Sequence, residues 1–283
     1  MAIFTNVATL TYDGGSTTSN TVTGELLEVL SGSKTAVGDS YVPGDRVTYV
    51  ITLRNTGAVA LTGLTVTDNL GAYAFEGQTL YPLSYATDSV LYFVNGVLQA
   101  APAVQAGPPL VITGISIPAG GNVTLVYEAN VTPFGPPDAD GAIVNEAVVT
   151  GGGLSSPVTL TETITPEDRP RLAISKAISP AVVTENGQLT YTFVIQNSGN
   201  TPAVATDDVI LTDTFNPILD PITVTFNGTL WAEGVNYTYN TATGAFATLP
   251  GQITVPAATY ARNADGSFTV VPGVATIVVT GTV

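Results

Sequence analysis

The chain has 283 residues, 45% of them apolar and only 10% charged, and it carries a net charge of −15 with no cysteine and no histidine. This composition excludes disulfides, thiol nucleophiles and imidazole-based catalysis, and the negative charge disfavours nucleic acid as a partner because phosphates would be repelled. No apolar run is long enough to span a membrane, so we expect no membrane insertion. We also expect no enzyme activity, no cofactor and no metal site.

The elements predicted along the chain are short β-strands. Apolar residues alternate with Thr, Asn and Ser at period two, and the segments end at Gly, Pro, Asn or Asp, which is typical of half-buried antiparallel strands. The clearest segments are RVTYVITLRN (46–55), TGLTVTDNL (62–70), NVTLVYEANV (122–131), QLTYTFVIQN (188–197) and ATIVVTGTV (275–283). Many short strands separated by turn signals predict an all-β fold of Ig-like β-sandwiches with Greek-key connections.

An internal repeat divides the chain into two tandem sandwiches. Residues 32–57 (GSKTAVGDSYVPGDRVTYVITLRNTG) align with residues 174–199 (ISKAISPAVVTENGQLTYTFVIQNSG) without a gap. The exposed character of TPEDRPRL, with its prolines and charges, indicates a linker between them. We therefore assign residues 25–165 to the first sandwich, 166–172 to a linker, 173–283 to the second sandwich and 1–24 to a separate N-terminal segment.

The two sandwiches differ at their closing strands. The first continues past Val131 to IVNEAVVTGGG (143–153), whereas the second ends at Val283 without an equivalent. The equivalent stands at the N-terminus as FTNVATLTYDGG (4–15), with Asn6 aligned on Asn145. We therefore expect an incomplete C-terminal sandwich that is completed by an N-terminal donor segment. Side chains in one strand phase would contact its core, namely Phe4, Ala8, Leu10 and Tyr12.

The motifs of residues 33–153 suggest a family. The pattern SK, VTYxIxLxNTG, LTVTD and VNxAxVTGGG resembles the bacterial surface-protein repeat known as domain of unknown function eleven, a family of Ig-like modules. The resemblance implies a β-sandwich with a role at a cell surface or in an appendage, and no particular activity. The displaced closing strands depart from the usual arrangement of that family and resemble a strand-exchanging pilin or spore-appendage subunit.

An incomplete sandwich exposes unpaired backbone groups that invite another strand. The N-terminal segment could insert into the second sandwich of another copy, which would propagate head to tail. It could instead fold back on its own chain or close a ring, or the chain could be a shortened form. The tether LLEVLSG spans at most about 25 Å at about 3.3 Å per residue, which favours insertion in trans.

Two sets of polar residues are predicted to face the cores. The only lysines, Lys34 and Lys176, are equivalent in the repeat, and strand phase turns Lys176 inward. The same phase argument turns Asp68 and Asn145 inward in the first sandwich, as well as Asp213 and Asn6 for the second. Because lone buried charges are costly, each set should meet. The predicted triads are Lys34, Asp68 and Asn145 within a chain, and Lys176, Asp213 and Asn6 between subunits.

Two interpretations of the triads remain open. One is a buried Lys–Asp ion pair capped by the Asn amide. The other is a self-formed isopeptide bond, similar to that of sandwich domains in Gram-positive pilins, in which a neutral lysine attacks the Asn carboxamide beside a protonated Asp and ammonia leaves. In the second triad this bond would join two subunits.

These features predict a structural subunit of an extracellular bacterial filament, a pilus or an endospore appendage, whose partner is the chain itself. The start MAIFTNVATL lacks the regions of a secretory signal, so either a signal has been removed or export uses another route. The alternative is a monomeric cell-surface adhesin or stalk module whose N-terminal strands fold back on its own C-terminal domain. Its glycan or host ligand is not identifiable from the sequence.

Overall fold

The computed structural model describes residues 2–283, and the predicted all-β class is confirmed. Strands form wherever β-branched residues alternate with polar ones, because such side chains suit a half-buried pleated surface. Within the described residues the helical structure is limited to one 3₁₀ turn at Ala205–Asp207. No helix in this range has the length and apolar character required to cross a bilayer.

The chain forms two compact units. The first contains the chain up to Asp39 together with residues 44–132 and 143–164. The second contains residues 40–43, 133–142 and 165–283. Each unit has its own hydrophobic core.

An N-terminal hairpin precedes the first sandwich. Its four strands are β1 Ala2–Asn6, β2 Thr9–Tyr12, β3 Gly15–Thr18 and β4 Val22–Leu26. Strand β1 pairs antiparallel with β4, and β2 pairs with β3, with a break in the register between them. The Ser19 N–H donates to the Ala8 carbonyl and connects the two halves. Apart from half-buried Gly24, every residue from Ile3 to Glu28 is exposed.

The first unit is a two-sheet sandwich. Its strands are β5 Leu30–Val37, β7 Arg46–Asn55, β8 Leu61–Asp68, β9 Tyr73–Phe75, β10 Gln78–Leu80, β11 Leu83–Tyr85, β12 Leu91–Val94, β13 Val97–Gln99, β14 Ala103–Gln105, β15 Leu110–Ile117, β16 Asn122–Val131, β17 Ile143–Gly151 and β18 Val158–Pro166. The short strand β6 Ser40–Tyr41 belongs to the second unit, where it pairs with Thr165 and Pro166 at the end of β18. One sheet of the first unit has the order β13-β12-β16-β7-β5, and the other has the order β14-β15-β8-β17-β18. Strands β7 and β8 are consecutive but lie in different sheets, and they pair with β16 and β17. These crossing connections are those of an Ig-like Greek key.

The core of the first unit lies between the inner faces of its sheets. Alternate residues of β7 are buried, including Tyr49, Ile51 and Leu53, and they face Leu64 and Val66 from β8 in the opposite sheet. Strands β17 and β18 close this second sheet. The apolar residues that alternate with polar ones in the sequence are therefore the residues whose side chains fill the core.

The second unit repeats this plan with a smaller second sheet. Its strands are β19 Leu172–Ser179, β20 Gln188–Asn197, β21 Thr212–Thr214, β22 Ile222–Phe226, β23 Thr229–Leu230, β24 Tyr237–Asn240, β25 Ala245–Thr248, β26 Thr259–Arg262, β27 Phe268–Val271 and β28 Gly273–Thr282. One sheet has the order β19-β20-β28-β22-β23, and the other is only β21-β25-β24. Strand β21 corresponds to β8. It pairs with β25 on one edge, and among residues 2–283 no strand pairs with its other edge.

Candidate functional site

The first unit contains an ion pair sealed from water. Strand β5 holds Lys34 opposite Ile51 of β7, and Asp68 ends β8 in the facing sheet. The Lys34 Nζ lies 2.6 Å from the Asp68 Oδ2, and the two side chains are 0% and 1% exposed. Charges at this depth persist only when they are paired and hydrogen-bonded, so each side chain depends on the other.

Two further side chains complete this cluster. The hydroxyl of Tyr127, on β16, donates to Asp68 Oδ2, and Asn145 Nδ2 on β17 donates to the Tyr127 oxygen at 3.4 Å. The Asn145 Oδ1 accepts from the Gly71 N–H at 3.2 Å. Asn145 is fully buried. The structure thus brings Lys34, Asp68 and Asn145 into one hydrogen-bonded cluster, with Tyr127 between the acid and the amide.

Gly71 can aim its N–H at Asn145 because it is a glycine. Its φ of 71° lies in the left-handed region that glycine adopts without strain. A Cβ here would also lie 2.7 Å from the Ile143 side chain. A larger residue at this position would therefore displace the donor that holds the Asn145 carbonyl.

Burial sets the protonation of the cluster. It lowers the pKa of the Lys34 amine, and the Asp68 carboxylate opposes this change. It also raises the pKa of Tyr127 well above its usual value, in the same direction as the neighbouring Asp68 charge. A lowered lysine pKa increases the fraction of neutral amine, which is the nucleophilic form.

Tyr49 lies beside the cluster. Its ring stacks on Tyr127 with centroids 5.5 Å apart, and the Lys34 Nζ lies 5.0 Å from the centroid of the Tyr49 ring. Burial raises the pKa of the Tyr49 phenol, and the Asn145 amide acts in the opposite direction. Among the described residues its hydroxyl has no hydrogen-bond partner. Tyr49 therefore contributes its ring to the wall of the cluster and makes no bond to Asp68.

The second unit contains the equivalent ion pair in an open setting. The Lys176 Nζ contacts Asp213 Oδ2, with side chains that are 40% and 18% exposed. Aromatic rings surround the amine, with centroids 4.3 Å away for Tyr191, 5.4 Å for Phe193 and 5.7 Å for Phe215. The second unit therefore holds a lysine and an aspartate in contact, and solvent reaches both.

A groove runs beside this open pair. Every residue of β19 is exposed, whereas the equivalent strand β5 buries Leu30 and Lys34. Apolar side chains are left open along it, including Ile174 at 56% and Ile178 at 48% exposure. A cavity of about 160 Å³ lies within it. We call this the open groove, and it is lined by Leu172, Ala173, Ile174, Ile195, Val209, Ile210, Leu211 and Ile253.

The predicted donor residues all lie on the exposed N-terminal hairpin. Asn6 pairs with Val22, as Asn145 pairs with Glu162 in the first unit. Phe4 pairs with Gly24, and a Cβ on Gly24 would lie within 2.3 Å of the Phe4 ring. The apolar members of the set are open to solvent, with Phe4 57%, Leu10 65% and Tyr12 60% exposed, and Ala8 is exposed as well.

Sequence reasoning did not identify Tyr127, Tyr49 or Gly71 as members of the cluster. The sequence could have identified Tyr127, since this residue is in phase with Val123, Leu125 and Ala129 and its hydroxyl is therefore expected in the core. The sequence could not have identified Gly71, because its contribution is a backbone N–H whose position depends on the geometry of the turn.

Comparisons with known proteins give similarities of fold only. No protein-family model and no curated protein matches the chain, so the resemblance to the surface repeat family is not confirmed. Among solved structures, 262 chains match.

Three of these solved structures show how different the functions of the matching proteins are. The major pilin subunit BcpA of Bacillus cereus is 13% identical over 96% of this chain and 73% of that one, with a TM-score of 0.32. The pilus backbone protein RrgB of Streptococcus pneumoniae is 12% identical over 86% of this chain and 55% of that one, with a TM-score of 0.36. A family 123 glycoside hydrolase from Clostridium perfringens is 12% identical over 49% of this chain and 28% of that one, with a TM-score of 0.31.

The chain spans less than two thirds of the length of the last two proteins. Because the identities are below 25% and the TM-scores are below 0.5, these similarities assign no function. The geometry of the chain itself carries the functional argument.

Proposed function

We propose that this protein is the structural subunit of an extracellular bacterial filament, in which the N-terminal hairpin of one copy completes the second unit of the next. The proposal rests on one observation: the exposed hairpin and the open groove of the second unit are complementary. An exposed hairpin pairs its strands as β17 and β18 do, and the second unit has an open groove where those strands would lie. The alternative, a monomeric adhesin or stalk, becomes an outcome of the test below.

The pairing of β17 with β8 in the first unit predicts how the N-terminal hairpin would pair with β21 in the second unit. There Ala147 lies opposite Asp68, and Val149 lies opposite Val66. Transferred through the repeat, Ala8 lies opposite Asp213 and Leu10 opposite Leu211. Asn6 then takes the position beside the Lys176–Asp213 pair that Asn145 takes beside the Lys34–Asp68 pair. One alignment thus places the apolar side chains in the groove and the amide beside the lysine.

Strand addition of this kind has two sources of free energy. The hairpin supplies backbone donors and acceptors to the open edge of β21. It also removes apolar side chains from water, and a fully buried Phe or Leu contributes about 1.5–3 kcal/mol. The two contacting surfaces differ, so the association is head to tail and repeats along a filament.

We further propose that each triad closes an isopeptide bond, Lys34 to Asn145 within a subunit and Lys176 to Asn6 between subunits. The sealed pair, the lowered pKa of Lys34 and the amide held by Gly71 support this chemistry. A chain without cysteine would then be cross-linked along the whole filament. Such a filament suits an exposed location outside the cell, as a pilus or an endospore appendage.

Electron microscopy and a denaturing gel test the proposal together. The wild-type chain should form long fibres and, after boiling in detergent, a ladder of covalent multimers. Lys176→Met should remove the ladder and leave the intramolecular bond, detected as the mass loss of one ammonia per chain. Lys34→Met is the matched control and should keep the ladder.

Removal of the hairpin separates the filament from the monomeric alternative. Deleting residues 2–26 should abolish fibres, and a synthetic peptide of those residues should then bind the deleted chain one to one. Fibres that persist after the deletion, or a wild-type chain that stays monomeric at every concentration, would reject the filament.

A further inference from the structure

We propose that the Tyr127 hydroxyl passes a proton from Asp68 to the leaving nitrogen of Asn145 while the Lys34–Asn145 bond forms. This inference rests on the covalent lock proposed above. It assigns a catalytic residue that the triad of lysine, acid and amide does not contain, and it separates the chemistry of the two units.

The geometry supports this role directly. Tyr127 touches both ends of the route, because its hydroxyl donates to Asp68 Oδ2 and its oxygen accepts from Asn145 Nδ2 at 3.4 Å. No described bond joins Asp68 to the Asn145 amide nitrogen. Tyr127 is fully buried, so within the described cluster its hydroxyl is the bridge by which a proton can travel between those atoms.

The proton balance requires such a carrier. A Lys34 proton first moves to Asp68, and the neutral amine attacks Asn145 Cγ to form the new C–N bond. The oxygen that becomes negative is Oδ1, which already accepts the Gly71 N–H. The old bond to Nδ2 breaks only when that nitrogen, now tetrahedral with a free lone pair, gains a proton.

The relay supplies that proton without consuming Tyr127. Asp68 gives its proton to the Tyr127 oxygen as Tyr127 gives its own to Nδ2, and the attacking nitrogen then returns a proton to Asp68. Ammonia leaves and the carbonyl re-forms. Overall, two protons leave Lys34 Nζ: one reaches Nδ2 and departs with the ammonia, and the other remains on Asp68, so the step needs no oxidant and no co-reactant.

The second unit lacks this group. Tyr127 stands opposite Tyr49 across β16 and β7, and the equivalent pair across β28 and β20 is Val279 opposite Tyr191. Val279 has no proton to give. The intersubunit bond between Lys176 and Asn6 should therefore form more slowly than the intramolecular bond, so that subunits associate before they are locked.

Tyr127→Phe tests the relay, and Tyr49→Phe is the matched control. Both remove one buried hydroxyl from the same ring stack, but only the first removes a hydrogen bond to Asp68. Full-length chains made in a short cell-free pulse are chased and weighed intact to time the loss of ammonia. General acid–base catalysis contributes about 100-fold or more, so Tyr127→Phe should slow the loss by that factor while Tyr49→Phe stays near the wild-type rate.

The outcomes are distinguishable. If the wild-type chain never loses ammonia, the covalent lock itself fails. If it does, and a Tyr127→Phe chain with native circular dichroism loses ammonia at the wild-type rate, Tyr127 is not the relay. If Tyr127→Phe does not fold, the converse variant decides the question. Val279→Tyr should accelerate the appearance of covalent multimers in fibres, and an unchanged rate would overturn the inference.

Discussion

The Lys34 Nζ lies 2.6 Å from the Asp68 Oδ2 in a site that water does not reach, whereas the equivalent contact of Lys176 with Asp213 is open to solvent. The two pairs have the same chemistry and the same place in the repeat. They differ because β17 and β18 cover the first pair, and no strand among residues 2–283 takes that position over the second. The open pair in the second unit is therefore the one that a donor strand would cover in the proposed filament.

Removing one partner should be costly only in the first unit. In an Asn145→Ala background, which cannot form the cross-link, Lys34→Ala leaves the Asp68 carboxylate buried and unpaired. Loss of one member of a buried pair costs about 3–5 kcal/mol, so the free energy of unfolding of the first unit should fall by that amount in urea titrations. Lys176→Ala in the monomer removes an exposed pair and should cost about 0–1 kcal/mol. Equal losses for both would mean that burial does not distinguish the two sites.

Most of the fold follows from local pattern. Alternation along segments such as RVTYVITLRN predicted the strands, and the repeat predicted two sandwiches. The inward phase of Lys34 and Asp68 was also readable, because side chains two apart share a face. The pairing of lysine with acid then followed from the cost of a lone buried charge.

The remaining parts of the site depend on tertiary geometry. Tyr127 reaches Asp68 because β16 and β8 lie in facing sheets at a depth that periodicity does not specify. The Gly71 N–H reaches Asn145 through a left-handed turn after β8. Strand phase turned Lys176 inward, but its side chain is 40% exposed, because no strand among residues 2–283 pairs with the free edge of β21.

The apolar phase of the hairpin should control assembly. Leu10 is equivalent to Val149, which is fully buried in the first unit, and Thr11 is equivalent to Thr150 on the opposite face. Leu10→Asp would bury an unpaired carboxylate in the groove and should raise the concentration needed for fibres by about 100-fold, equivalent to about 3 kcal/mol. Thr11→Asp adds the same charge on the other face and should change it far less. Sedimentation of fibres against subunit concentration measures both, and equal effects would exclude the proposed register.

Stability should fall in alkali because of the buried phenols. Burial raises the pKa of Tyr49 above its ordinary value of 10.0, so the folded chain keeps a proton that the unfolded chain loses. That contribution is complete below pH 10 and declines as pH rises above it. The loss is about 1.4 kcal/mol per pH unit for each such group.

Tyr49→Phe should therefore make the unfolding free energy fall less steeply with pH above pH 10, by the contribution of one such group. Between pH 7 and 9 the difference in unfolding free energy between Tyr49→Phe and the wild type should stay constant, which serves as the internal control. Urea titrations at each pH give the slopes. An unchanged slope above pH 10 would contradict the burial argument.

Hydrogen exchange should identify the surface that is covered in the fibre. In the monomer, the segment 209–214 has one unpaired edge and β19 is exposed along its whole length, so their amides should exchange early. Donor insertion pairs the edge of β21 and covers β19, which should slow exchange in both segments by an order of magnitude or more. Strand β20 is paired on both sides by β19 and β28 in either state, so its protection should not change. Slowed exchange confined to other surfaces, with residues 209–214 unaffected, would show that fibres form without filling the open groove.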